Sequence, residues 1–224
     1  SYTISRRKLQ EGSLPPVAAV RVEEFVNYFD YDYEAPPIGS NDGAPFAVDM
    51  EAAPNPWQQN HHVVRIGVQG AEIDSSQRAP VHLTFLVDVS GSMSSPDKLG
   101  LAKDALKMMV DQLDADDTVA LATYAGRTAR VLEPISAGEK SRIKKAIDGL
   151  HSGGSTAMSA GIDIAYEMAA ESFVSGHENR VIVLSDGDAN VGNSSWDQLL
   201  TQIKGHANRG VTLSTIGLGM GNYK

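Results

Sequence analysis

The chain has no cysteine among its 224 residues, which excludes disulfides, thiolate metal sites and a cysteine nucleophile. That absence leaves the redox compartment open, because a chain without thiols suits either environment. No apolar run approaches the roughly 18–20 residues of a membrane-spanning helix. No signal sequence is visible either, and the chain starts at Ser1 rather than Met, so a trimmed or processed N-terminus is expected. Basic residues are few, with 19 Lys and Arg against 28 Asp and Glu and a formal net charge of -9. Clustered basic side chains are what hold a phosphate backbone, and here only Arg6-Arg7-Lys8 forms a short run. Nucleic acid is therefore not an expected partner. An apolar fraction of 42% beside 21% charged residues is ordinary for a folded chain and argues against disorder over most of it.

What is present falls into two parts. Residues 1–80 read as an appendage. Pro15-Pro16 precede a helical pattern in which Val22, Phe25, Val26 and Phe29 share one face, as the i, i+3, i+4, i+7 spacing requires. The neighbouring Tyr28, Tyr31 and Tyr33 make this tract rich in aromatics, which are expected to pack the helix against the main domain. Residues 46–50 and 63–68 have strand character between proline-rich turns.

From Val81 onward apolar strands alternate with amphipathic helices, which predicts a doubly wound, mostly parallel α/β sheet covered on both faces. Strands are expected at Val81-His82-Leu83-Thr84-Phe85-Leu86, at 119–123, at Val181-Ile182-Val183 and at 211–217, with a short edge strand at 130–132. Helical stripes run through Leu99, Ala102, Leu106, Met109 and Leu113, through Ile143, Ile147 and Leu150, through Met158, Ile162, Ala165 and Ala169, and through Trp196, Leu199, Leu200 and Ile203. These stripes are core.

Three polar loops carry the chemistry. The first is Asp88-Val89-Ser90-Gly91-Ser92, directly after the Val81 strand; the second is Ser152-Gly153-Gly154-Ser155-Thr156; the third is Ser185-Asp186-Gly187-Asp188. Two of them place an Asp at the C-terminal end of a strand, the edge where ligands collect in open parallel sheets. Three hydroxyls and two carboxylates supply oxygens suited to a hard cation such as magnesium, while contributing only about two negative charges. A cation held so sparingly can accept another carboxylate from outside. Each loop alone has an ordinary explanation as a helix cap or a turn; their coincidence does not.

The same residues resemble the von Willebrand factor type A domain with its metal-ion-dependent adhesion site, from about Val81 to the end of the chain. The resemblance implies a Rossmann-like fold over 81–224 and a metal site made of Asp88, Ser90, Ser92, Thr156 and Asp186. It also implies Mg2+, or Mn2+ or Ca2+ in its place, and a protein partner that presents a Glu or Asp. A further helix and strand follow residue 217 in the family, so the domain is expected to be truncated at its C-terminus. The segment from Val20 to Tyr33 resembles the leader of an uncharacterised bacterial subgroup. From that subgroup come expectations of a periplasmic or cell-surface location, of anchoring only through a segment absent from this chain, and of a β appendage completed from beyond the C-terminus.

Function is thus expected to be metal-dependent protein–protein binding, for adhesion or assembly, without catalysis. Two alternatives stand beside it. One is a regulatory subunit of an ATPase or chelatase-type assembly, which type A domains also serve. The other is a magnesium-dependent phosphatase-like hydrolase, for which a second carboxylate two residues after Asp88 is wanted and Ser90 stands there instead. His61-His62 point to opposite faces if in a strand, and Gly217-Leu218-Gly219-Met220-Gly221 lacks the spacing of a dinucleotide loop. Asp188 is a candidate to act on the metal from behind Asp186. Asn193-Ser194-Ser195 matches a glycosylation sequon without consequence in a bacterium.

Overall fold

A computed structural model describes residues 2–36, 45–71, 78–154, 158–187 and 196–219. The chain divides into two compact units, residues 1–78 and 79–224.

In the first unit, helices α1 (Tyr2–Gln10) and α2 (Val22–Val26) precede an antiparallel ribbon of β1 (Phe46–Pro54) and β2 (His62–Gly70). α2 is shorter than its apolar pattern predicts. The aromatics explain why the pattern outlasts the helix: Tyr2 of α1 stands against Phe25, Tyr28 and Phe29, with ring centroids 4.1–5.4 Å apart. Their spacing thus serves a cluster between α1 and the chain around α2. Tyr31 and Tyr33 stack on each other, and the guanidinium of Arg65 lies over both rings while pairing with Glu51 at 2.9 Å. A Cβ at Gly67 would fall 2.2 Å from the Tyr33 ring, so only glycine admits that ring against the ribbon. The opposite face of the ribbon carries Phe46, Val48, Met50, Ile66 and Val68, all exposed.

The second unit is a five-stranded sheet in the order β5-β4-β3-β6-β7. Its strands are β3 (Val81–Asp88), β4 (Thr118–Tyr124), β5 (Thr128–Ser136), β6 (Glu178–Ser185) and β7 (Val211–Gly217). All neighbours are parallel except β4 and β5. Helices α3 (Leu101–Asp111), α4 (Lys140–Asp148), α5 (Met158–Glu171) and α6 (Trp196–Ala207) complete the unit. Alternation along β3 decides which face each side chain serves. Leu83, Phe85 and Val87 join the core with α3 and α4; Leu86 joins the core with α5 and α6. This is the doubly wound α/β architecture that the alternating pattern predicts. Full burial of a side chain such as Phe85 or Leu86 stabilises by about 1.5–3 kcal/mol.

Two details depart from expectation. The edge strand β5 is a nine-residue hairpin partner of β4, longer than 130–132, because its exposed side alternates with polar residues and hides the period. On α3, Val110 is fully buried and Met109 only partly so. Upstream, Pro96–Gly100 forms one wide turn in which the Leu101 N–H reaches the Pro96 carbonyl, and within α3 the i, i+4 spacing of Ala102, Leu106 and Val110 puts these three on the buried face.

Helix α5 lies very close to the sheet at Gly161, where a Cβ would sit 2.7 Å from Tyr124 Cβ and 2.9 Å from Cγ. Those are the rigid inner atoms of a fully buried ring. Gly161→Ala is expected to cost about 1–3 kcal/mol through overpacking, read as a lower urea midpoint without a change in slope.

At the N-terminal end of β3, His82 is buried, with Nδ1 2.7 Å from Thr118 Oγ1 and Nε2 3.0 Å from His177 Nδ1. Burial, then the charge of His177, hold its pKa below 6.5, partly opposed by Asp117. The unfolded chain therefore binds the proton more readily. The stability this confers is complete above about pH 6.5 and is lost as pH falls from there through the lower folded value. Urea midpoints from pH 8 to pH 5 should fall in the wild type, and fall less in His82→Gln.

Candidate metal centre

The site is assembled by strand pairing. β3 and β6 are parallel neighbours with Val87 opposite Leu184, so Asp88 ends one strand where Ser185 and Asp186 end the next. From this edge β3 leads on to α3, which packs in one core, and β6 leads on to α6, which packs in the other, on opposite faces. That is a topological switch point, where side chains from neighbouring loops can converge.

Asp88 is wholly buried and Asp186 is 1% exposed. Asp88 Oδ1 accepts the Ser90 N–H at 2.9 Å, closing the turn that presents the first loop. Its Oδ2 accepts the Ser185 hydroxyl at 3.2 Å, and that hydroxyl in turn accepts the Gly187 N–H at 3.2 Å. Ser90 Oγ and Ser92 Oγ are 3.0 Å apart. Met93, fully buried, roots the short 3₁₀ turn Gly91–Ser94 in the core.

The second loop is tied to the first by two backbone bonds, Gly153 N–H to the Val89 carbonyl at 2.7 Å and Gly91 N–H to the Gly154 carbonyl at 3.1 Å. Gly154 has φ +87°, and a Cβ there would lie 3.1 Å from Gly126 N. Glycine is thus needed twice over, for its left-handed backbone and for space. Thr156 lies outside the described residues, as do Asp188 and the sequon at Asn193. Of the five sequence-predicted ligands, the structure gathers Asp88, Ser90, Ser92 and Asp186 at one edge and fixes the loop that leads to Thr156.

Three further residues belong to this site and were not read from the sequence. Ser185 braces Asp88. Tyr124, at the end of β4, is fully buried; burial first and then the Asp88 charge hold its hydroxyl well above its ordinary pKa. Lys98, from the wide turn before α3, donates to the Ser92 carbonyl at 3.0 Å and to Asp186 Oδ2 at 2.8 Å. Sequence offers little to find them: a Ser before the Asp, a Tyr in an apolar strand and a Lys near a helix start are all commonplace.

The donor set fits a hard divalent cation. Two buried carboxylates need positive charge or hydrogen-bond donors to remain ionised in so dry a place, and the serine oxygens beside them are neutral ligands of the same hardness. Among the described residues no three His, Cys, Asp or Glu side chains converge on one point.

Residues 83–189 match the family model described as von Willebrand factor type A domain, and residues 1–65 match a second model described as von Willebrand factor. Residues 83–189 thus belong to the von Willebrand factor type A domain family. It is 39% identical over 226 residues to the uncharacterized protein YfbK of Escherichia coli, covering 100% of this chain and 39% of that protein. The magnesium-chelatase 60 kDa subunit of Rhodobacter capsulatus is 32% identical over 110 residues, or 49% of this chain and 19% of the subunit. Among solved structures, proximal thread matrix protein 1 from the mussel byssus, with a zinc-occupied MIDAS motif, is similar with a TM-score of 0.50 at 26% identity. That match covers 62% of this chain and 36% of the mussel chain. The chain spans well under half the length of both relatives.

Ser185→Ala would leave Asp88 Oδ2 and the Gly187 N–H each short of a buried partner. Such a loss costs about 1–3 kcal/mol. The expected lowering of the urea midpoint should appear in chelator, where metal affinity plays no part.

Proposed function

We propose that the protein is a metal-dependent protein-binding module. Asp88, Ser90, Ser92, Thr156 and Asp186 hold magnesium, and manganese or calcium can stand in its place. A Glu or Asp from a protein partner completes the coordination, which makes the centre a docking point for adhesion or assembly. The observation that carries this reading is the convergence of two buried carboxylates and two serine hydroxyls at one sheet edge. When bound, the cation supplies an electron-poor centre with room for an outside oxygen. The residues do the rest: Ser185 and the Ser90 N–H orient Asp88, and the backbone bonds at Gly153 and Gly91 hold the loops in register.

Similarity to the magnesium-chelatase subunit favours a second reading within the same class, in which the centre docks onto a neighbouring subunit of a larger ATPase or chelatase-type assembly. The resemblance to a bacterial envelope subgroup supports a periplasmic or surface location. No helix among the described residues is long and apolar enough to cross a membrane. The phosphatase reading has no comparable support, since the position two residues after Asp88 is Ser90.

The test is capture of partners from envelope and cytosolic fractions in magnesium, in chelator and with Asp186→Ala. A partner retained by the wild type only with metal is the expected result, and an ATPase among the captured proteins selects the assembly reading. Capture that ignores both chelator and substitution overturns the docking role of the centre.

A further inference from the structure

The Lys98 ammonium reaches the carboxylate of Asp186, and its placement is built rather than incidental. Its ammonium joins the first loop to the third, donating to the Ser92 carbonyl at 3.0 Å and to Asp186 Oδ2 at 2.8 Å. The Lys98 side chain is 13% exposed and that of Asp186 0%. The wide turn Pro96–Gly100 sets the backbone from which it reaches, and turns of this kind are concentrated at functional positions. Its stem runs beside the turn after β7: a Cβ at Gly219 would fall 2.7 Å from Lys98 Cε and 3.2 Å from Cγ. Gly219 has φ +83°, so a left-handed glycine makes room for the lysine stem.

We propose that Lys98 is a resident counter-cation of the metal centre, a positioning residue that shares Asp186 with the divalent ion and lowers the affinity for it. The inference rests on the metal-centre reading above. An ion pair on an open surface contributes little, but a fully buried carboxylate that loses a cationic partner has its charge less well compensated. Lys98 therefore stabilises the fold without metal. A divalent ion drawn to the same carboxylate meets a positive charge already in contact with it, and like charges at short range in a poorly screened site repel strongly. One ammonium thus acts with opposite signs on two quantities, raising the stability of the metal-free protein and weakening metal binding. A lysine with a merely structural role would raise both.

Calorimetric titrations with MgCl2 and MnCl2, paired with thermal melts in EDTA, separate these cases in wild type, Lys98→Met, Lys98→Gln and Lys98→Arg. Methionine keeps the stem without charge, glutamine keeps a donor for Asp186 without charge, and arginine keeps the charge. Residues that act on a metal through its ligands shift affinity by about 10–100-fold, so both neutral variants should bind metal at least roughly tenfold more tightly. They should also melt at a lower temperature in EDTA, with Lys98→Arg returning both values toward the wild type. Unchanged or weakened metal binding in the neutral variants, with normal binding by the wild type, overturns this inference alone. Absence of divalent binding by the wild type overturns the metal-centre reading and this inference with it.

Discussion

The parallel pairing of β3 with β6 is the constraint on which the site depends. It sets Asp88 and Asp186 on neighbouring strand ends, both essentially out of water. Two like charges so placed are unfavourable unless something answers them. The answers are local: a backbone N–H and a serine hydroxyl on Asp88, and the Lys98 ammonium on Asp186. Without the register neither carboxylate would be near the other's loop, and without these partners the register would be costly to keep.

The surrounding loops follow from the same requirement. A cation site of small neutral hydroxyls tolerates little drift, because each oxygen contributes weakly alone. Met93 buried beneath the first loop, the two backbone bonds to the second loop, and the bond from Leu218 N–H to the Ser185 carbonyl at 2.8 Å make the edge rigid. Gly161 lets α5 press onto Tyr124, and Tyr124 walls Asp88 from the other side with a hydroxyl that burial keeps protonated. Packing of the core and geometry of the site are thus one problem at this end of the sheet.

Period and position make much of this legible in the amino-acid sequence. The apolar run at Val81, its alternation with helical segments downstream and the stripes of α4 and α5 identify a doubly wound sheet, and an Asp ending two of its strands marks the edge. What stays hidden shares one physical cause, that it depends on partners distant in sequence. Lys98 reads as an ordinary helix-start lysine until Asp186 is brought to it across the sheet edge. Val110 lies deeper in the core than Met109, a choice between i+3 and i+4 from Leu106 that the apolar pattern alone leaves open. Helix α1 has a mostly polar sequence with one aromatic, Tyr2, whose purpose appears only when Phe25, Tyr28 and Phe29 close around it. The position of Thr156 at the loop follows from the motif, and it lies outside the described residues.

The charges at the centre bear on the proposed docking of an acidic partner onto a chain that is itself acidic. A formal net charge of -9 disfavours any approaching carboxylate, although screening confines that field to about 8–10 Å at ordinary salt. Within that range the local balance decides. Among the described residues, two carboxylates and one ammonium at the centre sum to a single negative charge, unattractive to Glu or Asp. A divalent ion in the proposed site would reverse the sign and leave a single positive charge, so that one ion turns a repelling edge into a receiving one. Lys98 sharpens this reversal, because a site with two uncompensated carboxylates would only be neutralised by the same ion. Under this reading the lysine weakens metal binding yet makes the bound metal more attractive to a partner, and the two effects together make docking conditional on the cation.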